Sequence, residues 1–368
     1  METTQALELI APWVRGLNAY HLEPRELDVK LNQNENPFSW PDDLRERFAA
    51  FCRTAHLNRY PDFVPDSLRG AIADWAGVDS SQIIAGNGSN DILQILYLNL
   101  LAPARQVVLC QPTFTVYQLL ARALNTVPVE IPLDAQLQFD MPALCAALRC
   151  YPTSLLVLCS PNNPTGSVLA QEQLHTILRQ HHGFIVLDQA YVEFGGFNAA
   201  ALTATHPNLV VTRTFSKALG GAGLRLGYLI AHPQVAAQLV KMKLPYNINR
   251  FTEFAGIELL RDRARIAGQI AFLVAERDRM ATALAQSGVG TIYPSEANFI
   301  LFRCRAKTAL FEHLVHNSIL VRDVSSAPLL EGCLRVNVGT GDENRRFLEA
   351  IGSFKQHTGD CRQQEACP

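Results

Sequence analysis

The 368-residue sequence contains no apolar run that approaches the length of a membrane-spanning helix. Its first residues, Met-Glu-Thr-Thr-Gln, lack the basic segment and apolar core of a secretory signal, so we expect a cytoplasmic protein. There is no basic block and the net charge is −2, which argues against nucleic acid as a partner. The nine cysteines form no C-x-x-C pair, so we expect free thiols and neither disulfides nor a metal site.

What is present is an ordinary globular balance, with 48% hydrophobic and 18% charged residues and no internal repeat. Between about residues 83 and 231, short runs rich in Val, Ile and Leu are separated by helix-length segments such as Gln171–Arg179. Within these runs, apolar and polar residues do not alternate. Such runs are typical of strands that are covered on both faces. The predicted strands are Gln106–Cys110, Leu155–Cys159, Phe184–Leu187, Leu209–Val211 and Leu226–Ala231. The sequence therefore predicts an α/β fold with a mostly parallel central sheet.

The pattern changes near Pro245–Asn249. A long helical stretch, Thr252–Ser287, is followed by short predicted strands at Phe299–Arg303, Ile319–Arg322 and Leu334–Val338. We predict an N-terminal arm that joins a small domain (1–38), a large domain (39–245), a small α+β domain (246–356) and a flexible tail (357–368).

The segment Arg213-Thr214-Phe215-Ser216-Lys217, followed by Arg225, carries the strongest chemical signal. A lone lysine is usually a solvated surface charge. Here an amine lies near two hydroxyls and a guanidinium that could grip a phosphate. A neighbouring cation lowers the pKa of a lysine and makes more of it nucleophilic. An aldehyde cofactor that carries a phosphate, such as pyridoxal phosphate, needs this combination.

Three further segments point to the same chemistry, although each has a purely structural alternative. Gly86-Asn87-Gly88-Ser89-Asn90 precedes the apolar helix Ile92–Leu101, where Ser89 or Asn90 could cap the helix and free backbone N–H groups could bind phosphate. Pro161–Gly166 follows a predicted parallel strand, at the edge where α/β ligand crevices form. Asp188 ends another strand, and its carboxylate needs a partner such as a pyridinium nitrogen. The structural alternatives are a plain capped helix for the first segment, a turn for Pro161–Gly166 and a helix-capping role for Asp188.

Together these segments resemble the fold-type I pyridoxal-phosphate-dependent aminotransferases, and within them the histidinol-phosphate aminotransferase branch. The resemblance covers nearly the whole chain. It includes Arg15–Tyr20, Leu31–Pro37, Arg59–Pro61, Pro161–Gly166, Thr214–Lys217, Pro245–Asn249, Ala297–Phe299 and Leu334–Thr340.

The resemblance implies roles for particular residues. Lys217 would form the Schiff base and shuttle a proton, Asp188 would pair with the ring nitrogen, and Phe114 would stack on the ring. Tyr191 and Asn163 would hold the ring's phenolic oxygen. The residues expected to hold the cofactor phosphate are Ser89, Asn90, Thr214, Ser216 and Arg225.

It also implies the substrates, L-histidinol phosphate and 2-oxoglutarate or glutamate. Arg335 would bind a substrate carboxylate or phosphate, with Arg322 and Tyr20 as further phosphate ligands. Tyr60 would reach the neighbouring subunit's site, which predicts a homodimer. Local sequence alone would favour a structural interpretation of these three residues, with Arg335 and Arg322 as surface arginines and Tyr20 as a packed tyrosine.

The sequence departs from the family pattern at three places. Asn90-Asp91 stands where the family usually has Asp-Glu, and Gln189 stands where it usually has Glu. We expect Gln189 to point away from the ring because of strand alternation. Tyr20 is followed by His-Leu-Glu-Pro in place of x-Pro-Gly.

Other functions remain open at this stage. An aromatic amino-acid aminotransferase or a threonine-phosphate decarboxylase would share the fold and the cofactor. A catalytically inert regulatory subunit would also fit the fold, although the intact Lys217, Asp188, Tyr191 and Arg225 argue against it.

Overall fold

The computed structural model describes residues 3–17, 25–101 and 105–364, with side chains described as far as residue 354. Its strands are β1 (Val29–Lys30), β2 (Ile83–Gly86), β3 (Val107–Gln111), β4 (Val129–Pro132), β5 (Leu155–Cys159), β6 (Ile185–Asp188), β7 (Leu209–Thr214), β8 (Gly227–Ile230), β9 (Thr291–Ile292), β10 (Phe299–Arg303), β11 (Ile319–Leu320), β12 (Arg322–Asp323) and β13 (Cys333–Asn337).

The central sheet has the strand order β2-β8-β7-β6-β5-β3-β4. Only β8 runs antiparallel to its neighbours, so the expected α/β fold with a mostly parallel sheet is confirmed. Alternate residues of each inner strand belong to different apolar clusters: Leu156 packs on one face of the sheet and Val157 on the other. This double coverage explains why these strands are apolar throughout.

The helices cover the sheet and build the second lobe. They are α1 (Thr3–Glu8), α2 (Pro12–Arg15), α3 (Asp42–Thr54), α4 (Asp66–Ala76), α5 (Ser89–Leu100), α6 (Val116–Ala123), α7 (Met141–Cys150), α8 (Gln171–Gln180), α9 (Pro233–Leu239), α10 (Arg250–Arg261), α11 (Arg263–Ser287), α12 (Lys307–His316) and α13 (Gly341–Gln364). No helix in the described part of the chain is both long and apolar enough to cross a membrane.

One prediction from the sequence was wrong in detail, and one strand of the central sheet was not predicted. The single helix expected over Thr252–Ser287 is divided at Asp262, whose side chain accepts a hydrogen bond from Arg265 N and starts α11. Strand β4 was not predicted. Its residues alternate between partly buried and exposed and include Glu130 and Pro132, which suits a strand that pairs on one side only.

The second lobe contains the antiparallel sheet β12-β13-β10-β9, whose apolar side chains form one cluster with those of α11, α12 and α13. The N-terminal segment joins it through β1, which pairs in parallel with β11. The predicted domain boundaries stay predictions. The final helix extends to Gln364, into the segment 357–368 that was predicted to be flexible, and that flexibility also stays a prediction.

Candidate active site

One edge of the central sheet gathers the predicted site residues. Strands β5, β6 and β7 are parallel neighbours, so their carboxyl ends lie side by side. Cys159 at the end of β5 is paired with Asp188, and Thr214 at the end of β7 is paired with Gly227. Gly227 also pairs with Gly86, the last residue of β2. Loops that are far apart in sequence are therefore brought to a single crevice, as expected at this edge of an α/β sheet.

Lys217 projects into this crevice from the turn after β7. Its Nζ donates a 2.8 Å hydrogen bond to the Gln33 carbonyl and lies 5.8 Å from the centroid of the Tyr191 ring. Burial, and next the positive charge of Arg335, lower the pKa of the Lys217 amine to about 7. A substantial fraction of the amine is therefore neutral near neutral pH, as a nucleophilic lysine requires.

Asp188 ends β6, the strand next to β7, and its buried carboxylate is only 3% exposed. Its Oδ2 accepts a 2.6 Å hydrogen bond from the Tyr117 hydroxyl, and its Oδ1 accepts one of 3.1 Å from Ala190 N. Burial raises the pKa of Asp188, while the side chain of Tyr117, then that of Thr212 and the backbone N–H of Ala190 oppose the rise. No Lys, Arg or His side chain within the described ranges forms an ion pair with this carboxylate, so its donor set suits a protonated ring nitrogen.

Tyr191 and Asn163 both present donors to the crevice. Tyr191 OH accepts a 3.0 Å hydrogen bond from Asn34 Nδ2, which leaves its own proton available to donate. Asn163 Oδ1 accepts from Arg335 Nη1, which leaves the Asn163 Nδ2 group available. The preceding residue, Asn162, is wholly structural, since it bonds Pro112 O and the Thr113 and Thr165 hydroxyls.

The turn before α5 faces Arg225. Helix α5 begins at Ser89 with Gly88 as its N-cap, and no side chain caps it, so the expectation that Ser89 or Asn90 caps the helix was wrong. Its first backbone N–H groups are therefore available to an anion at the positive end of the helix. A Cβ on Gly88 would lie 2.8 Å from Arg225 Nη2, which shows how closely the guanidinium approaches this turn.

Two hydroxyls complete this end of the crevice. Thr214 Oγ1 donates to Ser216 Oγ at 3.0 Å and accepts from Ser216 N at 3.1 Å. Arg225 itself is exposed, and its Nη1 donates to Ala222 O at 3.1 Å. The donors here are a guanidinium, hydroxyls and helix N–H groups, the set that binds a phosphate.

Arg335 lies deep in the crevice and is 7% exposed. Its Nη2 donates to the Asn32 carbonyl at 2.8 Å, and its guanidinium lies 5.2 Å from the centroid of the Phe299 ring. Arg322, on the adjacent strand, is the direct cross-strand partner of Arg335. Two cations thus share one face of the small sheet, and the charge of Arg335 acts on Lys217.

The remaining predicted residues differ in placement. The Phe114 ring stands edge-on to Tyr117 at 5.6 Å, near Asp188. Tyr60 is 76% exposed and stacks on Tyr246, with ring centroids 4.6 Å apart. Tyr20 lies outside the described residues. As expected, Gln189 points away, toward Phe197 O and Ala199 N.

Sequence reasoning missed three residues of the site. Asn34 orients Tyr191, Asn32 supplies a carbonyl to Arg335, and Tyr117 binds Asp188. The segment Leu31–Pro37 was part of the resemblance, but nothing local assigned a partner to its asparagines. In the described part of the chain, no group of His, Cys, Asp and Glu is arranged to hold a metal ion.

Comparison with known proteins agrees with this geometry. The family model for aminotransferase class I and II matches residues 27–351. The histidinol-phosphate aminotransferase of Chlorobaculum tepidum is 36% identical over 346 residues, covering 93% of this chain and 99% of the relative.

Solved structures show the same fold. The histidinol-phosphate aminotransferase of Sinorhizobium meliloti in complex with pyridoxal-5'-phosphate superposes with a TM-score of 0.85 at 22% identity, covering 97% of this chain and 100% of that one. The L-threonine-O-3-phosphate decarboxylase of Porphyromonas gingivalis gives a TM-score of 0.78 at 23% identity, covering 89% and 99%.

The fold and the crevice define a fold-type I transferase with a lysine at its centre, and the chain belongs to the class I and II aminotransferases. The residues present fit the cofactor of this class, pyridoxal phosphate. Asp188 is a buried carboxylate that lacks a cationic partner among the described residues, and Arg225 closes over an uncapped helix N-terminus. These two features match the two ends of the cofactor, its ring nitrogen and its phosphate.

Proposed function

We propose that this enzyme transfers an amino group between L-histidinol phosphate and 2-oxoglutarate, in histidine biosynthesis. The observation that carries the proposal is its 34–36% identity, along nearly the whole chain, to curated histidinol-phosphate aminotransferases. The crevice suits both substrates, because Arg335 and Arg322 can face either a carboxylate or a phosphate.

Lys217 is the proposed Schiff-base lysine and proton shuttle. Pyridoxal phosphate, when bound, supplies the aldehyde and an electron-accepting ring. With a pKa near 7, Lys217 Nζ can both accept and return a proton at neutral pH. The Gln33 carbonyl holds this nitrogen in the crevice, at 2.8 Å.

The neighbouring residues are proposed to hold the ring. Asp188 would keep the ring nitrogen protonated, and the Tyr191 hydroxyl and the Asn163 amide would donate to the phenolic oxygen. Phe114 would cover one ring face. Because Asn163 also accepts a hydrogen bond from Arg335, a substrate that binds Arg335 would affect the position of the Asn163 amide at the ring.

The cofactor phosphate is proposed to lie between α5 and the turn after β7. Its ligands would be the guanidinium, the two hydroxyls and the helix N-terminus described above, namely Arg225, Thr214, Ser216, Ser89 and Asn90. Tyr20 stays a proposed ligand of the substrate phosphate. The replacement of the family's Asp by Asn90 leaves the backbone donors of the helix in place.

We further propose that the active unit is a homodimer in which Tyr60 enters the site of the second copy. Tyr60 belongs to an exposed aromatic cluster with Phe63 and Tyr246, and Leu244 nearby is 74% exposed. Such a cluster is typical of an interaction surface. We also propose a cytoplasmic location, because every described cysteine is a free thiol.

A half-reaction tests the substrate. Purified protein is loaded with pyridoxal phosphate, and its visible absorbance is followed as L-histidinol phosphate or L-phenylalanine is added. Loss of the lysine-bound cofactor band at low histidinol phosphate, but only at high phenylalanine, is expected. A preference for phenylalanine would indicate an aromatic aminotransferase, and release of carbon dioxide from threonine phosphate would indicate the decarboxylase. A spectrum that neither substrate changes would overturn the proposed activity.

A further inference from the structure

Tyr117, on helix α6, is a fully buried residue that none of the recognised motifs contains. Its side chain is 0% exposed, and its hydroxyl donates a 2.6 Å hydrogen bond to Asp188 Oδ2. This is the shortest of the bonds described for that carboxylate. A buried phenol is expected to find one hydrogen-bond partner, and here the partner is the acid that would meet the cofactor ring.

The same side chain also contacts the ring-stacking residue. The Phe114 and Tyr117 rings meet edge to face, with centroids 5.6 Å apart and planes at 85°. Tyr117 therefore touches two groups proposed to contact the cofactor: Asp188 through its O–H group and Phe114 through its ring. Its backbone is held separately, because Tyr97 OH donates to the Tyr117 carbonyl at 2.9 Å.

We propose that Tyr117 is a positioning residue, which keeps Asp188 ionised and aimed at the ring nitrogen while it supports Phe114 behind the ring. The inference rests on the proposed function for its cofactor, pyridoxal phosphate, and on no property of the substrate.

The physical reason is the cost of a buried carboxylate. Asp188 is almost completely removed from water, and each donor that it loses favours its protonated form. Burial raises the pKa of Tyr117 well above its ordinary value, so the phenol remains a donor at any working pH. A protonated Asp188 would no longer attract the proton of the ring nitrogen, and the ring would accept electrons less well.

The chain offers a matched control in Tyr97. Tyr97 is another fully buried tyrosine, and its hydroxyl bonds only a backbone carbonyl among the described groups. Tyr117→Phe and Tyr97→Phe each remove one buried hydroxyl, and Tyr97→Phe removes the bond to the Tyr117 backbone carbonyl while the Tyr117–Asp188 hydrogen bond stays in place. A merely structural role for Tyr117 predicts similar behaviour of the two variants, whereas a positioning role predicts that only Tyr117→Phe affects the cofactor.

The experiment uses full-length apo-protein and pyridoxal phosphate with an isotope-labelled ring nitrogen. The dissociation constant of the cofactor and the nuclear magnetic resonance shift of the ring nitrogen are measured for wild type, Tyr117→Phe and Tyr97→Phe. We expect Tyr117→Phe to weaken binding roughly tenfold, as for a lost hydrogen bond to a charged group, and to move the resonance toward that of a neutral pyridine. Tyr97→Phe should leave both near wild type.

A double-mutant cycle with Asp188→Asn adds a second criterion. If Tyr117 acts through Asp188, Tyr117→Phe should change the dissociation constant by less than about twofold in the Asp188→Asn protein. Equal, additive effects in the two backgrounds would overturn the proposal, as would a Tyr117→Phe protein whose ring-nitrogen resonance matches wild type. Because only the cofactor is used, a wrong substrate in the proposed function would not alter these results.

Discussion

The lowered pKa of Lys217 predicts that this amine destabilises the folded apo-protein. In the unfolded chain the amine has an ordinary pKa of 10.5, and in the folded protein the pKa is about 7. Between these values the unfolded state binds more protons, so stability rises with pH across this window. Below pH 7 the folded protein bears the full cost of burying the charged Lys217 amine. At 1.36 kcal/mol per pKa unit, this cost lowers the free energy of unfolding by about 5 kcal/mol.

Lys217→Met removes the charge and keeps an unbranched chain in the crevice. The variant loses the hydrogen bond to the Gln33 carbonyl, which contributes about 1 kcal/mol. We therefore expect inactive Lys217→Met apo-protein to be more stable than wild type by about 4 kcal/mol at pH 6. This advantage should shrink by roughly 3 kcal/mol at pH 9, because the folded wild-type amine is then neutral while most unfolded amines remain charged.

Urea unfolding of both apo-proteins at pH 6 and pH 9 measures this difference. Lys241→Met is the control, since it removes an exposed lysine from the same chain. Its effect on the free energy of unfolding should stay small at both pH values. A Lys217→Met advantage that is equal at pH 6 and pH 9, or that is absent at both, would refute the argument that burial of Lys217 lowers its pKa.

Two further predictions concern the dimer and the phosphate site. Lys217→Ala and Tyr60→Ala should each abolish most turnover and leave the circular dichroism spectrum unchanged. Refolding the two variants together should restore about a quarter of wild-type activity, because about half of the dimers are then mixed and each mixed dimer has one intact site. No recovery would contradict a shared site. Gly88→Ala should weaken pyridoxal phosphate binding at least tenfold, since its Cβ would press on Arg225. Gly77→Ala has a similar positive φ but no atom within 4 Å, so fluorescence titration should show unchanged cofactor affinity.

The sequence predicted the inner strands well because they are covered on both faces. The bounds of β5 were predicted residue for residue, since Leu155–Cys159 is a continuous apolar run flanked by polar residues. The edge strand β4 escaped prediction because its Glu130 and Pro132 carry no such signal. The break at Asp262 was missed because the apolar pattern continues across it, while the helix start depends on one side-chain hydrogen bond.

The identity of the central residues was also within reach of the sequence. Lys217, Asp188 and Asn163 lie at or just after the carboxyl ends of predicted strands, where a parallel sheet must form a crevice. Their residue types and order were enough to indicate the chemistry of an aldehyde cofactor. The roles of Lys217, Asp188 and Asn163 stay predictions, as do those of Tyr20, Tyr60 and Arg322.

What the sequence alone determined is the set of chemical groups and the sheet that carries them, because both follow from residue type and local periodicity. Only the tertiary structure decided which of these groups are desolvated and which bond each other. The Tyr117–Asp188 and Asn163–Arg335 bonds span 71 and 172 residues. Lys217 acquires its low pKa only when the fold buries it beside Arg335. Pairings over such distances and the loss of water are properties of packing, which no local pattern encodes.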